Sequence, residues 1–160
     1  MAAPHARFAL YLDTSALMKL FVQEDGSAQV RALAKGGGGA AVLLVSRLGY
    51  TEASVSLARM VHLGRILAAD LPHHLGILEK YWEESIQEVE LSEDVLRDAR
   101  QLAQRFPLRT YDAIHLASAR EAKRILSWLD NEVRFLAFDA GLVRAARALG
   151  FAMAGGRELL

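Results

Sequence analysis

At 160 residues, with 52% hydrophobic and 24% charged side chains, the chain is long enough for one domain with a sizeable core and too apolar to be disordered. Its 19 basic and 19 acidic residues cancel, so global charge neither demands nor forbids a nucleic-acid partner. The absence of cysteine excludes a disulfide framework, thiol catalysis and cysteine-ligated zinc, and no apolar run reaches the ~18 residues of a membrane span.

Phe8–Leu12 is a short apolar run that stops at Asp13. It is too short for a signal peptide, so a cytoplasmic protein is expected. It reads as a buried strand, followed by a helical pattern over Ser15–Phe21 and another over Ser27–Lys35. The Gly36–Gly39 run precedes a strand and has no following Gly-Lys-Ser/Thr. It reads as a flexible turn, neither a phosphate loop nor a dinucleotide fingerprint. Ala40–Val45 is the second strand, and Arg47–Leu63 and Leu71–Ser85 are the helices that follow it.

Gln87–Leu91 alternates and reads as an edge strand. Helices are expected over Glu93–Phe106 and Tyr111–Trp128, with Ser92 and Thr110 as N-caps. Val133–Phe138 is the fourth strand, Ala140–Leu149 a helix with Gly150 at its C′ position, and Phe151–Met153 a fifth strand. Strands alternating with helices imply an α/β fold, a mainly parallel sheet covered on both faces, without internal repeat or linker. His73-His74 lacks zinc-site spacing and reads as a solvated turn.

Charge is unevenly spread. Asp70 to Asp94 carries eight acids and one base, and Arg97 to Leu160 eleven bases and seven acids. More telling is where single acids fall, because open α/β sheets bind ligands beyond the carboxyl ends of their strands. Asp13 follows the first strand, Asp139 follows the fourth, and Asp112 lies in the first turn of the helix in RTYDAIHLASA. Glu52 lies inside the helix after the second strand, along a stripe with Leu48, Val55 and Arg59.

Each acid has a bland reading. Asp13 could cap the next helix, Asp112 and Asp139 could favour helix dipoles, and Glu52 could pair with Arg59. Four acids set beside three strands are harder to explain as caps. Such a cluster calls for a cation, and a hard one such as Mg²⁺ or Mn²⁺ prefers oxygen ligands and can activate water for displacement at phosphorus. The residue-level expectation is metal-assisted phosphodiester hydrolysis.

Three segments, LYLDTSALMKLFVQEDGS, VSRLGYTEASVSLAR and LRTYDAIHLASA with FLAFDAGLVRAARALGF, resemble the PIN-domain ribonucleases, especially the toxins of VapBC-type toxin–antitoxin pairs. The resemblance spans nearly the whole chain. It implies a three-layer α/β/α fold around a five-stranded parallel sheet, and a Mg²⁺- or Mn²⁺-dependent endoribonuclease. It also implies an RNA substrate, a cognate antitoxin and a homodimer. It assigns Asp13, Glu52, Asp112 and Asp139 to the acidic, metal-binding set, and Ser15 (or Thr14) to the hydroxyl that helps orient it. His115 is expected to pack its helix, and Arg59 to support the site.

The family's Thr or Ser two residues before the fourth aspartate is here Ala137. The expected dimer and antitoxin contacts rest on Leu17, Leu20, Phe21, Leu75, Leu78, Tyr81 and Trp82. A haloacid-dehalogenase-like phosphatase would need Asp where Ser15 stands, and a receiver domain a lysine after Lys123, which is absent. The surviving alternative is a PIN-like scaffold that binds RNA or protein without cutting.

Overall fold

The computed structural model describes residues 8–35, 42–127 and 132–154. Five strands form one sheet: β1 (Phe8–Leu12), β2 (Val42–Ser46), β3 (Ile86–Val89), β4 (Glu132–Leu136) and β5 (Ala152–Met153). Their order is β3-β2-β1-β4-β5 and every pairing is parallel, with Leu10 opposite both Leu43 and Arg134. The first strand made is thus the central one. The chain builds outward to β3, then returns to the other side of β1. That reversal creates the switch point between β1 and β4 where α/β folds place ligands.

Among the described residues the α-helices are α1 (Thr14–Met18), α2 (Ser27–Ala34), α3 (Arg47–His62), α4 (Leu71–Ser85), α5 (Glu93–Arg105), α6 (Thr110–Leu126) and α7 (Ala140–Ala148). Strand pleating divides them between two faces. Ala9 and Tyr11 point to a core shared with Val95, Leu102, Leu116 and Leu142 of α5–α7. Phe8, Leu10 and Leu12 point to a core shared with Leu17, Val30, Leu57 and Leu78 of α1–α4. This is the expected three-layer α/β/α arrangement, with β1 buried on both faces, which is why its sequence is uniformly apolar.

Local signals set most boundaries. Ser92 caps α5, its hydroxyl accepting from Val95 N at 3.2 Å. Gly150 sits at φ +80° beyond α7, with Gly150 N donating to Arg147 O and Phe151 N to Ala146 O. Those two bonds are a Schellman closure, which needs a residue free to enter the left-handed region.

Several expectations need correction. The N-cap of α6 is Arg109, in extended backbone, and Thr110 is the first helical residue. The strand β4 ends at Leu136, so Asp139 lies three residues past it rather than directly after it. His73 and His74 stand in the first turn of α4 rather than in a turn between elements. The Gly36–Gly39 run, Ala40 and Trp128 lie outside the described residues.

One glycine is a packing requirement. A Cβ on Gly49, in α3, would lie 2.5 Å from Val45 Cγ1, inside the fully buried end of β2. Gly49→Ala is therefore expected to lower stability by about 1–3 kcal/mol through overpacking, despite alanine's better helix propensity. Denaturant unfolding checks this: a variant as stable as the parent would mean that β2 and α3 can separate freely.

Candidate active site

The carboxyl ends of β1 and β4 and the first turns of three helices meet at one rim of the sheet. Asp13 ends β1 and caps α1: its Oδ1 accepts from Ala16 N at 2.9 Å. Ser15 Oγ donates to the same carboxylate, 2.7 Å from Oδ1 and 2.9 Å from Oδ2, and accepts from Phe138 N at 3.3 Å. The expected orienting hydroxyl therefore ties Asp13 to the loop after β4. Asp13 is only 5% exposed, and burial raises its carboxyl above the ordinary value; neighbouring His115, Ser15 and Ala16 oppose that rise, while Asp112 adds to it slightly.

Glu52, on α3, faces the same rim. Thr14 Oγ1 donates to its Oε2 at 2.5 Å, and His115 Nε2 lies 2.6 Å from that oxygen. Burial works against ionising Glu52, but the bonds from His115 and Thr14, with the charge of Arg109, outweigh it and hold the carboxyl below its usual range. Arg59 is exposed on α3, and no ion pair joins it to Glu52 among the described residues. The supporting groups are instead Thr14 and His115. His115 is 2% exposed, so it does pack within the fold, but both ring nitrogens also have polar partners.

Asp112 and Asp139 are joined by an arginine. Arg109 Nε lies 2.8 Å from Asp112 Oδ2, and its Nη2 lies 3.7 Å from Asp139 Oδ2. Asp139 also caps α7, accepting from Leu142 N at 2.9 Å. The bland capping readings of Asp13 and Asp139 are thus correct as far as they go. Capping occupies one lone pair of each carboxylate and leaves others free. Asp112 and, more weakly, Asp139 and Asp13 make Arg109 hold its proton still more firmly than usual, and the same guanidinium acts on Glu52, so its charge is shared among all four acids.

Glu52, Arg109, Thr110, Tyr111 and Asp112 line an open cleft of about 450 Å³. A cleft of about 480 Å³ elsewhere, bounded by Leu44, Val89, Ile125 and Leu126, is mostly apolar, with Glu88, Glu90 and Glu121 also in its lining.

Among the described residues, no three His, Asp or Glu side chains stand close enough to hold one metal ion as they are placed. The cation among the acids is Arg109. Its side chain is 77% exposed and anchored only at its head, so it can leave without disturbing the core. The groups it would uncover are carboxylate oxygens, with the Thr14 and Ser15 hydroxyls beside them. That donor set suits a hard divalent cation and not a soft one.

Comparison with known proteins shows the family of the fold. The family model described as PIN domain matches residues 10–147. The chain belongs to the PIN domain family. Among curated PIN relatives, Ribonuclease VapC49 of Mycobacterium tuberculosis is 36% identical over 110 residues, 69% of this chain and 74% of that protein. Ribonuclease VapC47 of the same species is 30% identical over 146 residues, 91% of this chain and 95% of that one.

Solved structures share the PIN fold at low identity. The Mycobacterium tuberculosis VapC20 toxin, described as cleaving the sarcin-ricin loop, superposes with a TM-score of 0.61 at 16% identity, covering 91% of this chain and 98% of that one. PAE2754 from Pyrobaculum aerophilum gives 0.56 at 22%, covering 90% and 87%.

Sequence reasoning identified all four acids and Ser15 as candidates but missed Arg109, Thr14's bond to Glu52 and the polar role of His115. The only local signal for Arg109 was its position three residues before Asp112 at a helix start. That pattern is common on exposed helices. Of the residues expected at dimer and antitoxin contacts, three lie in the core and four are partly exposed. Leu17, Leu20 and Leu78 are buried, and Phe21, Leu75, Tyr81 and Trp82 pack against the same core. Trp82 is further tied by Nε1 to Glu88 at 3.1 Å.

Proposed function

We propose that this PIN protein is a Mg²⁺- or Mn²⁺-dependent endoribonuclease and the toxin of a toxin–antitoxin pair. The observation that supports the reading is that Asp13, Glu52, Asp112 and Asp139 lie along one rim of the sheet near the β1–β4 switch point, with the exposed Arg109 spanning Asp112 and Asp139. The names of the ribonuclease relatives support the substrate class.

The four carboxylates would hold the metal, which supplies an activated water and charge neutralisation at the scissile phosphate. The chain's own contributions can be stated separately. Ser15 and the Ala16 amide orient Asp13, while Thr14 and His115 fix Glu52. Arg109 balances the acids of the free protein. Once displaced, it remains at the cleft mouth as a planar donor suited to phosphate oxygens.

The rival, a PIN scaffold that binds without cutting, draws on Ala137, a fully apolar residue packed in the α5–α7 core where the family hydroxyl stands. Ser15 supports the catalytic reading against it, because its hydroxyl already links Asp13 to the backbone after Ala137.

Expected partners are RNA, an antitoxin and a second copy of the chain. With Leu17, Leu20 and Leu78 buried, the most exposed apolar surface open to protein partners includes Val55, Leu63 and Leu67 on and after α3. No helix among the described residues is long and apolar enough to cross a membrane.

The deciding experiment is incubation of the purified protein with pooled cellular RNA, with Mg²⁺ or Mn²⁺ and with excess EDTA. Cleavage is expected with metal and should stop with EDTA. Binding without cleavage under either metal would establish the scaffold instead.

A further inference from the structure

We infer that His115 is the positioning residue for Glu52, holding its carboxylate at the cleft through a hydrogen-bond chain anchored at Tyr11 in the core. The inference rests on the proposed function only in giving Glu52 a ligand's task; the chain itself stands on distances. Tyr11 Oη is 3.0 Å from His115 Nδ1, and His115 Nε2 is 2.6 Å from Glu52 Oε2 and 3.1 Å from Thr14 Oγ1. Thr14 Oγ1 is 2.5 Å from that same Glu52 oxygen.

Proton counting fixes the direction of the chain. Tyr11 is fully buried, with its hydroxyl against Nδ1. Glu52 presents a carboxylate oxygen that already accepts from Thr14, and a carboxylate oxygen accepts. Thr14 has a single hydroxyl proton, and the geometry directs it to Glu52. Nε2 faces that carboxylate and a hydroxyl oxygen whose proton points elsewhere, so Nε2 must itself carry a hydrogen and donate it. Tyr11, at Nδ1, keeps the ring in this orientation whatever the ring's charge. The result is an outer group that sets the direction of an oxygen ligand, as hydrogen-bonded partners of metal ligands commonly do.

Packing supports the same orientation. The Tyr11 and His115 rings meet edge to face, with centroids 6.1 Å apart, and Tyr11 stacks on Phe135 at 5.4 Å. A histidine present only for packing would need neither polar partner.

The experiment uses ring ¹⁵N NMR and Mn²⁺ binding, measured by electron paramagnetic resonance, on the wild type, Tyr11→Phe, His115→Leu and His115→Gln. The wild-type ring should carry hydrogen on Nε2. Tyr11→Phe keeps the ring stack and removes one hydroxyl, yet should weaken Mn²⁺ binding by about 10–100-fold. His115→Leu should do the same, and His115→Gln, which restores an N–H donor, should recover part of the loss. Thermal melts confirm that each variant is folded, and Tyr11→Phe remains informative if the others are not. A wild-type ring with bare Nε2 overturns the inference, as does Mn²⁺ affinity in Tyr11→Phe and His115→Leu within about twofold of the parent. A wild type that takes up no Mn²⁺ refutes the metal reading above, and the ring's proton position then decides the hydrogen-bond chain alone.

Discussion

Asp13→Asn is expected to reduce metal-dependent RNA cleavage by about a hundredfold or more while leaving the metal-free protein at least as stable as the parent. The loss follows from removing one oxygen ligand from a reaction whose transition state needs several kcal/mol of charge stabilisation. Stability is kept because asparagine can still accept from Ala16 N, and because it is nearly as good an N-cap as aspartate.

The pH dependence has a definite sign. Burial raises the Asp13 carboxyl in the folded protein, so the native state binds its proton more tightly than the unfolded chain. The resulting penalty is absent at low pH, grows as pH rises through about 3.9, the unfolded value, and is complete above the folded value. Asp13→Asn should therefore gain on the parent as pH rises through that window, measured by urea unfolding with chelator present. Retained cleavage by the purified variant, with contaminating nuclease excluded, would remove Asp13 from the catalytic set.

Glu52→Gln is expected to lose cleavage to a similar extent but to move stability the other way. His115 and Thr14 both donate to the Glu52 carboxylate, and bonds to a charged acceptor are worth more than bonds to an amide. Metal-free Glu52→Gln should be less stable than the parent by about 1–2 kcal/mol at neutral pH. Because the folded Glu52 carboxyl is depressed, its contribution is present above about 4.3, the unfolded value, and disappears as pH falls through the folded value. The gap between parent and variant should close in acid. Two acids of one site would then show opposite stability signs, which simple mutual repulsion does not produce. If both substitutions stabilise the metal-free protein equally, repulsion governs and the bonds from His115 and Thr14 contribute little.

The legibility of this chain follows the range of its interactions. Helix α4 spans Leu71–Ser85 as its apolar periodicity indicates, and the other helices agree within one or two residues except α1, which ends at Met18 rather than Phe21, because amphipathic repeats and caps are local. The edge position of β3 was readable from its alternation. Asp13, Asp112 and Asp139 stood out as candidates because such sheets bind ligands beyond their strand ends, Glu52 because it lies on a partly apolar helix stripe, and Ser15 only through the family resemblance.

Other features depended on distant pairings. Thr14 and Glu52 are 38 residues apart, and Thr14 and His115 are 101 apart, so no window along the sequence contains the bond. Thr110 illustrates a local signal overruled. Threonine is the better cap, yet the extended residue is Arg109, whose side chain is engaged by Asp112. The apolar residues of α1 and α4 looked like surplus because sequence alone does not show how much area β1 and β2 leave for them to cover.

The central place of β1 also bears on how activity arises during folding. Phe8 pairs with Glu132, so the first strand waits for most of the chain before its second neighbour exists. Parallel pairings at such separation close large loops before any contact repays the entropy, and they form late. Asp139 joins Asp13 only through that closure. A chain elongating from its amino end would therefore hold an incomplete set of acids until nearly all of it had been made, and hydrolytic competence would switch on at the last step of folding.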